Sequence, residues 1–216
     1  MDPDLEAEKR LAATAAAGLV EESMTVGLGT GSTVAHLLSA LARRRLDIRC
    51  VATSPATARA AARLGLLVES FTSARLDIAI DGADQIDPAG WLMKGGGGAQ
   101  TREKLVATAA DVFVVIADST KTVPVLRPPV PVEVLSFGVE ATLARIGRVL
   151  RRDTPPTPDG GILVDILDGF DDPATLATQL DGTPGVVGHG LFPPDLVHTV
   201  FVARGNEVER FEPVSG

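Results

Sequence analysis

Met24-Thr25-Val26-Gly27-Leu28-Gly29-Thr30-Gly31-Ser32-Thr33-Val34 begins as an apolar run, bends through glycines and continues into Leu37, Leu38 and Leu41 at helical spacing. The pattern predicts a short buried strand over 24–28, a turn over 29–32 and a helix over 33–45. Upstream, Asp2 and Pro3 suit an N-cap and first helical turn for a helix reaching about residue 20, with Leu5, Leu11 and Leu19 available for burial. Downstream the alternation repeats: a strand over 48–52, a helix from Pro55 to about 64, then strand candidates at 67–69, 76–80 and 112–117. Strands alternating with helices require right-handed crossovers, which makes a mainly parallel sheet covered on both faces. The expected fold class is a doubly wound α/β domain.

The character changes after Lys121, where Pro124, Pro128, Pro129 and Pro131 crowd into eight residues. Beyond them the pattern predicts a strand over 130–134, a helix over 139–150, a loop over 153–161, a strand over 162–166, a helix over 173–180 and a strand at 186–187. This order fits a smaller α+β, ferredoxin-like lid domain at 128–199. Segments 197–203 and 207–211 form a candidate hairpin around Gly205-Asn206, returning to the first sheet. The expected division is a Rossmann-like catalytic domain over 1–127 plus 200–216, with the lid between.

The 216 residues are 45% hydrophobic and 22% charged, with formal net charge −8. That charge argues against a nucleic-acid or anionic-membrane partner. No apolar run has the length of a membrane span, and residues 1–10 do not read as a secretory signal. Cys50 is the one cysteine, which fits a reducing, cytoplasmic setting. His36, His189 and His198 lie too far apart in sequence for a metal-ligand spacing, so no metal is expected.

Within the glycine turn, Thr30, Gly31, Ser32 and Thr33 offer backbone amides and hydroxyls at a helix N-terminus, a place suited to a phosphate. A dinucleotide fingerprint fails: Ser32 stands where its third glycine would be, and Val51-Ala52-Thr53-Ser54 brings no acid after the second strand. Alone, the turn reads equally well as a tight bend capped by Ser32.

A second constellation decides between these. Asp81-Gly82-Ala83-Asp84 follows the apolar strand, and Lys94 precedes the glycines Gly95 to Gly98. Four successive glycines cost conformational entropy and make sense where backbone must approach a ligand. Thr101 suits a helix N-cap, placing Glu103 in the first turn. By itself Glu103 would be a dipole-stabilising surface acid; with Lys94 and the aspartates it is the best general-base candidate. Asp87 before Pro88 reads as an Asx turn. Lys121 could face the same edge, Lys9 is a weaker candidate for the phosphate, and Arg102 and Lys104 are expected on the solvent face.

These motifs, with Thr101-Arg102-Glu103-Lys104, Ile116-Ala117-Asp118, Pro131-Val132-Glu133-Val134 and Pro184-Gly185-Val186-Val187, resemble the A-type ribose-5-phosphate isomerases in order along nearly the whole chain. The resemblance implies interconversion of D-ribose 5-phosphate and D-ribulose 5-phosphate in the non-oxidative pentose phosphate pathway, without a cofactor, by a homodimer or homotetramer. It implies Glu103 as the base and Lys94 as the oxyanion stabiliser, with Asp81 and Asp84 holding hydroxyls and assisting ring opening. It places residues 30–33, Gly82, Ala83, Gly95, Gly96, Gly97 and Lys121 at the substrate. Gln85 and Pro55 depart from the family's usual glutamate and aspartate. A sugar-phosphate sensor would not need Lys94 and Glu103 together. A coenzyme A transferase would use the glutamate as a nucleophile, and an amino-sugar-phosphate deaminase is a further enzyme of this broad architecture.

Overall fold

The computed structural model describes residues 3–72 and 75–213, so the proposed Asp2 cap lies outside the described residues. Helix α1 (Pro3–Ala17) precedes β1 (Thr25–Leu28), α2 (Ser32–Arg44), β2 (Arg49–Ala52), α3 (Pro55–Arg63), β3 (Leu67–Glu69) and β4 (Leu76–Gly82). Two short strands follow, β5 (Gln85–Ile86) and β6 (Leu92–Met93), then α4 (Gln100–Ala109) and β7 (Ala110–Asp118). The remainder comprises β8 (Val130–Val134), α5 (Val139–Leu143), β9 (Val149–Arg151), β10 (Ile162–Ile166), α6 (Pro173–Asp181), β11 (Val186–His189), β12 (Leu191–Phe192), β13 (Thr199–Arg204) and β14 (Glu207–Phe211).

The central sheet has seven strands in the order β14-β13-β7-β4-β1-β2-β3. Every neighbouring pair is parallel except the terminal hairpin, whose β13 returns to pair with β7. Strand side chains alternate between faces. Ile78 and Ile80 enter one core with Val26, Leu28 and α2, while Ala79 joins Val106 of α4 in the other. Asp81 has the parity of Ala79, which carries its carboxylate toward the α4 side. Full burial of each such valine, leucine or isoleucine contributes ~1.5–3 kcal/mol.

Helix α1 buries Ala12, Ala13, Ala16 and Ala17, whereas its Leu11, and Leu19 beyond its end at Ala17, are only partly covered. Its small side chains let α2 and β7 approach closely. A four-stranded antiparallel sheet, β11-β8-β10-β9, carries a third core with α5 and α6. Between the two sheets lies a three-stranded ribbon, β12-β6-β5.

Several boundaries differ from the sequence expectation. The helix expected over 139–150 is only Val139–Leu143, and 149–151 is an edge strand. Gly147 takes φ +95°, a conformation an α-helix cannot contain. Helix α4 begins at Gln100 with Ala99 as N-cap, so Thr101 is inside it, although Glu103 stays in the first turn. Asp87 does form its turn, accepting from the amides of Ala89 and Trp91 at 3.0 and 2.9 Å.

Candidate active site

Strand order reverses between β1 and β4, whose carboxyl ends open a crevice of the kind where doubly wound sheets bind ligands. A cleft of about 450 Å³ fills it. Its walls combine the turn 30–33, the loop 82–84, Lys94 with the glycines 95–97, Glu103 and Lys121, together with Val34, which the sequence reading missed. Asp81 is not on the wall; it lies directly behind it.

Three buried titratable groups form the floor. The Lys94 ammonium stands 3.0 Å from Asp81 Oδ2 and 3.2 Å from Glu103 Oε2, with all three side chains at most 5% exposed. Lys94 also donates to the Gly82 carbonyl. Asp81 Oδ1 accepts from the backbone amides of Thr30 and Gly82 at 3.1 and 2.7 Å. Glu103 Oε2 lies within ion-pair distance of Lys94, and this oxygen accepts no hydrogen bond from the described residues.

The environment shifts these groups in opposite senses. Burial, reinforced by the charge of Asp81, pushes the Glu103 carboxyl up to about 8, with Lys94 opposing. Burial also raises Asp81 despite Lys94. Burial alone would lower Lys94, but the two carboxylates more than reverse it and keep the ammonium charged. A carboxyl with a raised pKa beside a fixed cation is suited to moving a proton while negative charge develops nearby.

Asp84 is exposed at the rim, its amide bonded to the Met93 carbonyl at 2.8 Å and its carboxylate accepting from the Gly96 amide at 2.7 Å. On the opposite wall, Gly31 is the N-cap of α2 and supplies no side-chain cap. Ser32 is the first helical residue rather than the cap expected from a simple tight turn. The initial amides of α2 therefore lack a side-chain acceptor, as an anion site requires. Thr30 is braced by the hydroxyls of Thr53 and Thr57 at 2.9 and 3.2 Å. Lys121 ends a 3₁₀ turn whose Ser119 amide is held by the buried Glu8 at 2.8 Å.

Gly29 has a direct steric reason. A Cβ there would stand 1.8 Å from Asp81 Oδ1, and that carboxylate is pinned by three partners. Gly29→Ala is therefore expected to destabilise the fold by about 1–3 kcal/mol, the cost of overpacking. Denaturant unfolding checks this, and an unchanged midpoint would contradict the described clash.

Some sequence expectations fall elsewhere. Lys9 pairs with Glu6 at 2.8 Å and lines no part of the cleft. Arg102 is part-exposed and pairs with Asp159 at 2.6 Å. Lys104 is not simply solvated: its ammonium lies 5.1 Å from the Phe192 ring centroid and beside buried His189. A residue C-terminal to a buried helical glutamate turns by only about 100°, so it can share that helix's packed flank. Gln85 bonds the Arg127 backbone through both ends of its amide, at 2.9 and 2.8 Å. Pro55 opens α3 behind the Ser54 cap. Among the described residues no helix is long and apolar enough to cross a membrane, and no cluster of three or more metal-ligating side chains occurs.

A helix N-terminus able to hold an anion, facing a buried glutamate and lysine across one cleft, is an arrangement suited to acid–base chemistry on small phosphorylated molecules. Residues 49–207 match the family model described as ribose 5-phosphate isomerase A (phosphoriboisomerase A). Ribose-5-phosphate isomerase A of Caulobacter vibrioides is 43% identical, covering 95% of this chain and 98% of its own. The crystal structure of ribose 5-phosphate isomerase A from Neisseria gonorrhoeae superposes with TM-score 0.91 at 32% identity, covering 98% of both chains. A D-ribose-5-phosphate isomerase in complex with phospho-erythronic acid gives TM-score 0.88 at 32% identity, covering 98% of this chain and all of that one. The chain belongs to the ribose 5-phosphate isomerase A family.

Proposed function

We propose that this cleft interconverts D-ribose 5-phosphate and D-ribulose 5-phosphate through an enediolate, with Glu103 carrying the proton. The observation that supports this most is the placement of Glu103, buried, raised to about 8 and 3.2 Å from the Lys94 ammonium. The phosphate rests against residues 30–33 and Lys121, and the reacting carbons lie at Glu103 and Lys94.

In the forward direction Glu103 takes the proton from C2 of the open-chain aldose. The electron pair of the broken C–H bond becomes the C1–C2 double bond, and the aldehyde oxygen takes the negative charge beside Lys94. Glu103 then returns its proton to C1. The proton on the C2 hydroxyl passes to the oxygen on C1, leaving the ketone at C2. One carboxyl serves both steps because the two carbons are adjacent. Asp84 and the rim amides hold hydroxyls and the ring-opened chain, while Asp81, buried behind them, holds the Lys94 ammonium in place. Lys94 supplies the preorganised charge that is worth most in a site shielded from water.

The base acts only when ionised, so its raised pKa moves the acid limb of the rate upward. kcat/KM for ribose 5-phosphate, which reports the free enzyme, should fall tenfold per pH unit below about 8 and level off above it. Ketose formation followed across pH checks both activity and limb. A limb near the ordinary carboxylate range would remove Glu103 as the base.

The same reading includes a cytoplasmic homodimer or homotetramer. Phe137, Leu150 and Leu105 are exposed apolar side chains that association would cover. Cys50 is buried, and burial pushes its thiol up to about 12, which disfavours the nucleophilic thiolate.

A further inference from the structure

We propose that Arg152 is a positioning residue for the reaction, fixing the glycine loop, and Asp84 through it, from the small antiparallel sheet. This deepens the isomerase reading of the cleft and rests on it. The loop is a tight turn, closed by the Gly98 amide on the Gly95 carbonyl at 2.9 Å, with Gly95 at φ +103° and Gly98 at +75°. It has no side chains of its own to pack, so its conformation must be imposed from outside.

Arg152 supplies that constraint. Its backbone amide donates to the Leu163 carbonyl at 3.0 Å, anchoring it to β10. Nε and Nη2 make a two-pronged bond to the Asp165 carboxylate at 2.8 and 2.7 Å. The remaining nitrogen, Nη1, donates to the Gly95 carbonyl at 2.8 Å and to the Gly96 carbonyl at 3.3 Å. The two side chains are only 16% and 13% exposed, so water competes weakly for these donors. A planar guanidinium locked by a carboxylate holds its third donor in a fixed direction, which a lysine cannot do.

On the far side of the same turn, the Gly96 amide donates to Asp84 Oδ2 at 2.7 Å. A continuous chain therefore runs from Asp165 through Arg152 and the glycine backbone to Asp84. Gly95, Gly96 and Asp84 line the cleft and Arg152 does not, so its influence on substrate is carried by the loop. An ion pair serving stability alone would be complete with Asp165. Here the third donor is committed to carbonyls of the substrate loop.

Kinetics of Arg152→Met in two backgrounds test this. In the parent, kcat/KM for ribose 5-phosphate should fall about tenfold, within the ~10²-fold that a 1 Å misplacement can cost. With Asp84→Ala, which removes the far end of the chain, the same substitution should cost measurably less than in the parent, the remainder being displacement of the glycines that line the cleft, because coupled residues are not additive. Equal losses in both backgrounds, or less than a twofold loss in the parent, would overturn the proposal. Should Arg152→Met fail to fold, Arg152→Lys keeps the charge and one donor but loses the fork. Its loss should be intermediate and should also shrink with Asp84→Ala; an equal loss in both backgrounds overturns the inference. Parent turnover is measured alongside: its absence defeats the isomerase reading itself, whereas normal turnover with additive variants defeats only the role of Arg152.

Discussion

Glu103→Gln is expected to lower kcat by roughly 10²–10⁴-fold, the usual contribution of a positioned base, while ribose 5-phosphate still binds. Glutamine preserves the volume at the start of α4, and the turn proposed to hold the phosphate is a separate part of the cleft lining. What is lost is the group that accepts the C2 proton. Exchange of substrate C–H with solvent deuterium should disappear in step with turnover, which separates loss of proton transfer from loss of binding. A variant retaining near-normal turnover would end the assignment of the base.

The same substitution has a stability signature with a definite sign. In the fold the Glu103 carboxyl keeps its proton up to about pH 8, against an ordinary value of 4.5. Between those values the folded chain binds a proton that the unfolded chain has released, so this group's contribution to stability falls as pH rises. Glutamine has no such proton. The Tm of the variant relative to the parent should therefore be higher at about pH 9 than at about pH 5. Activity and stability move in opposite directions at one residue because the carboxylate is kept where its ionised form is unfavourable.

Much of this site was legible because its parts are contiguous runs. The segments 30–33, 81–84, 94–97 and 103 each combine residue types that a core does not use, and strand-end placement brings them to one edge. The alternation of apolar strands and helical spacing likewise marks the central sheet, since its inner strands β1, β4, β7 and β13 are largely buried on both faces. Elements set by tertiary context were not legible. β5, β6 and β12 are two residues each, too short for any period to register. The segment 139–150 carries helical spacing, but Gly147 and the pairing of β9 with β10 divert its end into the small sheet. Arg152 and Glu8 stand far from the motifs they support, so no local pattern marks them. The resemblance implies that Asp81 holds substrate hydroxyls, whereas its carboxylate lies behind the wall, a position set by the turn amides that converge on it.

Lys94→Met is expected to be the most damaging single change, costing about 3–5 kcal/mol of stability because it leaves buried carboxylates without their counter-ion. Lys94 is the cation within ion-pair distance of both Asp81 and Glu103, and each acid is at most 5% exposed. Without it, the burial that already raises both acids is opposed only by the Gly82 and Thr30 amides at Asp81, so the pair must take up protons or let water in. Turnover should drop in addition by roughly 10²–10³-fold, the cost of removing one preorganised oxyanion donor. Urea unfolding and steady-state kinetics measure the two effects separately. The double variant Lys94→Met with Asp81→Asn distinguishes their origins. Neutralising Asp81 removes the stranded charge, so much of the lost stability should return, whereas turnover should not, because no ammonium faces the aldehyde oxygen. Equal stability of the single and double variants would show that Lys94 is not acting as the counter-ion. Parent-like turnover in either variant would show that charge on the enediolate is stabilised by some other group.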